Sequence, residues 1–152
     1  MEEARRIVIV ANQTAPGPHL KQLVSERMAQ GPCRFVLLVP ATPPKGTWTF
    51  TEEEVLEAAR GQLEEALAGL KDLGADIEGR VELGAPFDAV GAYLDSGRYE
   101  DEQPVDEIIV STLPPGVSRW LKQDLPHRLE RQYEIPVTHV IGEPTSETPT
   151  KP

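Results

Sequence analysis

The chain has few of the residues that most often signal chemistry. A single cysteine, Cys33, among 152 residues excludes an intramolecular disulfide and any thiolate cluster holding a metal within one chain. Cys33 sits inside an apolar run with Arg34 as its one close cation, so it reads as a buried, inert thiol. The three histidines, His19, His127 and His139, are far apart and lack the helical spacing of metal ligands, so no metal is expected. Neither GxxxxGK(S/T) nor GxGxxG occurs, which removes the two glycine cradles for phosphate that can be recognised by spacing alone. Asn12 is the one asparagine, beside abundant Glu, Pro, Ala and Leu; a thermophilic source and GC-rich coding both produce that bias. No long hydrophobic segment is present and Met1 to Arg6 is charged, so neither a membrane span nor an export leader is expected, and a cytoplasmic location follows.

What the chain does have is acid. A formal net charge of −10 repels nucleic-acid phosphates and anionic membranes, so neither is expected as a partner. The exception is local: Arg119, Lys122, Arg128 and Arg131 gather around Trp120, where they could receive an anion or an acidic partner or pair with the chain's own carboxylates.

The apolar residues fall into periodic blocks within a length suited to one core. Ile7 to Ala11 is a β-branched strand covered on both faces, and Leu20, Leu23, Val24 and Met28 follow at helical spacing up to Gly31-Pro32. Cys33 to Val39 is a second strand ending at Pro40, and Pro40 to Phe50 is a surface loop. Thr51 and Glu54 form a capping box ahead of a helix whose stripe is Leu56, Ala59, Leu63, Ala66, Leu70 and Leu73. Ile77 to Leu83 alternates like a strand near the sheet edge, and Pro86 opens a helix with Phe87, Val90, Tyr93 and Leu94 as its buried side. Asp95 to Pro104 is an exposed acidic connection, Val105 to Val110 a buried strand, Val117 to about Glu134 a helical region, and Pro136 to Ile141 a last strand. Residues 1–142 therefore make one α/β domain, an open parallel five-stranded sheet with helices on both faces, and residues 143–152 a tail with nothing to bury.

In such a sheet ligands lie beyond the carboxyl ends of the strands, where the strand order reverses. Asn12 to Thr14 and Ser111-Thr112 would flank that crevice, although Asn12 serves equally to cap a turn. Ser111, His127 and Asp124 are the one set that a hydrolase could use, yet no GxSxG elbow accompanies them. Asp124 reads more simply as the cap of a helix with Pro126 in its first turn.

Three segments are similar to universal stress proteins. Ile7 to Thr14 resembles their first strand, with Asn12 at the position of an aspartate. Ala59 to Leu94 resembles their second helix, third strand, Gly-x-Pro turn and third helix. Asp106 to Val110 and Pro136 to Val140 resemble the last third. The resemblance implies strand order 3-2-1-4-5 and a homodimer joined through the terminal strand, Val137 to Ile141, with His139 near the joint. ATP-binding members carry Gly-x2-Gly-x9-Gly-(Ser/Thr) after the fourth strand; here Ser111, Pro114, Asp124 and Leu125 occupy those positions. Pro114 has no N–H to offer, and the Asp124 carboxylate would occupy the positive helix end where a phosphate belongs. The resemblance thus implies a non-enzymatic regulatory or stress-response protein without family-type ATP binding and with no cofactor. The alternative is an adenine-nucleotide binder using Asn12, the backbone near Val39, and Ser111, Thr112 and Gly116, with Arg119 or Lys122 in place of the glycine loop.

Overall fold

A computed structural model describes residues 4–11, 17–41, 51–101, 105–112 and 124–141, with the backbone alone for 96–101. Its order is β1 (Arg5–Val10), α1 (Pro18–Gln30), β2 (Cys33–Ala41), α2 (Glu52–Lys71), β3 (Ile77–Leu83), α3 (Pro86–Asp101), β4 (Glu107–Thr112), α4 (Leu125–Tyr133) and β5 (Val137–Ile141). The five strands form one parallel sheet in the order β3-β2-β1-β4-β5. The expected strand order is therefore met.

Strand alternation divides the core in two. Ile7, Ile9, Phe35, Leu37, Ile77 and Ile109 pack under α1 and α2. Val8, Val10, Val36, Leu38, Ile108 and Val110 pack under α3 and α4. β1 and β4 are covered on both sides, which is why their sequences are near-continuous apolar runs. The capping box is formed: the Glu54 amide donates to the Thr51 hydroxyl at 3.1 Å and the Thr51 amide to the Glu54 carboxylate at 2.8 Å. At the other limit of close packing, a Cβ built on Gly79 would lie 2.6 Å from Leu63, so α2 rests on bare β3 backbone.

Three boundaries differ from the sequence expectation. β2 continues through Pro40 to Ala41. The Ala11 amide donates to the Leu38 carbonyl, so even-numbered β2 residues face β1, and Val10 with Leu38 is the last described pair of that ladder. α3 runs on to Asp101 instead of yielding to a connection at Asp95, because an acidic stretch without proline does not end a helix. β4 begins at Glu107 and includes Ser111 and Thr112, whose backbones pair with Val140 and Ile141. The Pro40–Phe50 loop lies outside the described residues apart from its first two positions, as do the expected helical turns at 117–123 and the 143–152 tail.

Candidate functional site

The strand order reverses between β1 and β4, and in open parallel sheets the ligand crevice lies beyond the carboxyl ends of the strands at such a point. Of the residues expected there, Val39, Ser111 and Thr112 are placed, whereas Asn12, Gly116, Arg119 and Lys122 lie outside the described residues. Val39 is buried with its side chain in the α1/α2 core. Its backbone faces β3, with Val81 in register. By the alternation of the ladder, the group presented on the β1 side at this level is the Pro40 carbonyl.

Ser111 and Thr112 are both 2% exposed, but they point to opposite faces of the sheet. Ser111 follows Ile109 on the α1/α2 side. Thr112 follows Val110 on the α3/α4 side. There its hydroxyl meets the Nε2 of His139 at 2.7 Å. Burial holds the His139 imidazole below its ordinary pKa, so the ring is neutral at neutral pH. The two hydroxyls thus do not converge through their side chains; one of them is committed to fastening β5.

Asp124 stands at the N-cap position of α4, but its expected capping bond is not made. The residue is in the left-handed region, φ 57 and ψ 41, and its carboxylate turns to the His127 Nδ1 at 2.9 Å. Pro126 near the first turn leaves fewer amides for a cap to satisfy, and His127 competes for the same oxygens. The hydrolase grouping does not assemble: Ser111 is buried inside β4 while the His127 side chain is 74% exposed. Arg128, from the expected basic patch, instead lies over the Phe87 ring at 4.4 Å. Among the described residues, no group of His, Cys, Asp and Glu is arranged to hold a metal. No described helix is long and apolar enough to cross a membrane.

A polar cluster that the sequence reading missed occupies the amino ends of the same strands. Glu107, the first residue of β4, is 3% exposed. Arg27 of α1 grips it with two hydrogen bonds of 2.9 Å, Arg5 of β1 approaches to 3.4 Å, and the Thr138 hydroxyl of β5 donates to its Oε2. Burial pushes the carboxyl up, but the hydrogen bonds from Arg27 and Thr138 and the charges of Arg27 and Arg5 outweigh it and hold the group below the usual range. The same contact raises the Arg27 guanidinium. Cys33 lies alongside, its thiol donating to the Arg27 and Gly31 carbonyls at 3.4 and 3.5 Å. Burial raises its pKa, in keeping with an inert thiol. The available signal was Glu107 itself, an acid inside a run otherwise fit for burial on both faces.

No protein-family model matches the sequence, and no curated protein does. Solved structures do. A universal stress protein in complex with cAMP superposes with a TM-score of 0.59 at 19% identity, covering 91% of this chain and 98% of its own. The universal stress protein from Archaeoglobus fulgidus in complex with dAMP gives 0.56 at 15% identity, covering 92% and 99%. A universal stress protein family protein from Arabidopsis thaliana with AMP bound gives 0.56 at 14% identity, covering 97% of each.

Proposed function

Taking as premise that the chain carries the fold of the universal stress proteins, we propose that it is a non-enzymatic, cytoplasmic regulatory or stress-response protein that has given up family-type ATP binding. The observation behind this reading is Asp124. It holds the third glycine position of the phosphate loop with a carboxylate at the amino end of α4, where a phosphate would need bare amides and positive potential. Pro114 removes a further amide from the loop.

A second reading keeps an adenine nucleotide in the crevice. It draws on the neighbours crystallised with AMP, dAMP and cAMP and assigns phosphate binding to Arg119 or Lys122. Calorimetric titration with ATP, AMP and cAMP separates the two. We expect no heat of binding and no rise in melting temperature with millimolar ATP and magnesium, whereas a ligand at a hundred times its Kd would stabilise the fold by about 2.7 kcal/mol. Asp124→Gly should gain affinity for phosphate if the carboxylate is the obstacle. A clear rise with ATP in the unmutated chain overturns the first reading.

The assembly reading is a two-fold dimer through β5. Among the described residues β5 pairs only with β4; it carries no charged side chain at neutral pH, and Ile141 is 43% exposed. Two copies pairing along it would satisfy the open backbone groups and cover that apolar surface in one step.

A further inference from the structure

β5 is the least anchored strand of the sheet: none of its five residues is fully buried, while all six of β4 are. Besides its ladder to β4, two side-chain hydrogen bonds described above hold it, one on each face. Thr138 reaches Glu107 on the α1 side, and His139 reaches Thr112 on the α4 side. The two differ in kind. The first ends on a buried carboxylate already fixed by Arg27 from α1, with Arg5 of β1 nearby, so it is charge-assisted and stronger than a bond between neutral groups. It is also specific to register: a slip of β5 by one residue would turn Thr138 to the opposite face and leave Glu107 one donor short.

We propose that Glu107 is the latch of the edge strand: clamped by Arg27, its carboxylate receives the Thr138 hydroxyl and sets the seating of β5, so that β5 opens as a separate unit once the latch is removed while β1 and β2 remain paired. The carboxylate is the hub because α1, β1 and β5 all meet on it. The inference depends on no ligand and no partner.

Hydrogen exchange at fixed protein concentration tests it on the full chain. Amides crossing between β4 and β5, such as that of Ile108, which donates to the Pro136 carbonyl at 2.9 Å, are compared with amides crossing between β1 and β2. In Thr138→Val and in Glu107→Gln, the ratio of β4–β5 exchange to β1–β2 exchange should rise about tenfold, the worth of one charge-assisted hydrogen bond. If instead both sets of amides accelerate together and the ratio stays at its unmutated value, the cluster is general scaffolding and the latch is refuted. Should Glu107→Gln fail to fold, Thr138→Val decides alone, since it removes one hydroxyl and leaves the Arg27–Glu107 pair in place.

Discussion

A carboxylate in a strand buried on both faces is sustained only by its partners, and Glu107 shows how the balance is reached. Desolvation opposes the charge; Arg27, Thr138 and Arg5 overcome it, so the folded carboxyl titrates below its unfolded value. The stability this contributes is fully present above the unfolded pKa of about 4.3 and is lost as pH falls through the folded pKa beneath it. Glu107→Gln should therefore lower stability at neutral pH by about 3 kcal/mol, the low end for breaking a buried pair because Arg27 keeps some access to water. It should also flatten the acid limb of the stability profile. Urea unfolding from neutral to acid pH measures both; equal acid slopes in the two proteins would mean that other carboxylates carry the acid response. The anomaly of Glu107 was readable in its own segment, but Arg27 was not. It lies about 80 residues away in the last turn of α1, where a basic residue is ordinary for a helix end.

Elements were legible to the extent that one local signal determined them. Thr51 and Glu54 marked the start of α2 because both halves of the capping box lie within one turn. β2 and α3 ran past their expected ends: β2 stays paired with β3 through Pro40 and Ala41, a partner its own segment does not reveal, and α3 had no proline between Pro86 and Pro104. The contact between α3 and α4 was equally invisible in sequence. A Cβ on Gly91 of α3 would lie 2.5 Å from the Tyr133 hydroxyl of α4, with Phe87 stacked 5.9 Å from the same ring. Gly91→Ala gains helix propensity of about 1 kcal/mol but drives that ring aside. In a Tyr133→Phe background the obstruction is gone, so the alanine should be more favourable there by about 1 kcal/mol. A double-mutant cycle from thermal unfolding reads this coupling, and additive effects would place Tyr133 farther from α3 than described.

At the scale of the molecule, hydrophobic period and helical crossovers made the open parallel sheet and its two covered faces legible, and the resemblance to universal stress proteins supplied the strand order. The crevice was not: of the residues expected there, Asn12, Gly116, Arg119 and Lys122 lie outside the described residues, and Ser111 and Thr112 point to opposite faces of the sheet. The assembly reading is tested at the most exposed apolar position of β5. Val140 packs against the α1/α2 core and would confuse pairing with folding, whereas Ile141 is 43% exposed. Light scattering should give a dimer mass for the unmutated chain at micromolar concentration and a shift towards monomer for Ile141→Lys; a monomer before mutation rejects the dimer.

The two rims of the sheet are unlike. β5 presents Val-Thr-His-Val-Ile, while β3 places Glu78, Arg80 and Glu82 in alternation along the other rim, side chains that resist the approach of another strand. If two copies pair along β5 as proposed, the two-fold axis consumes that rim in both and leaves β3 at either end of the joined sheet. The charges on β3 would then act as an end-stop that separates a closed pair from an open filament.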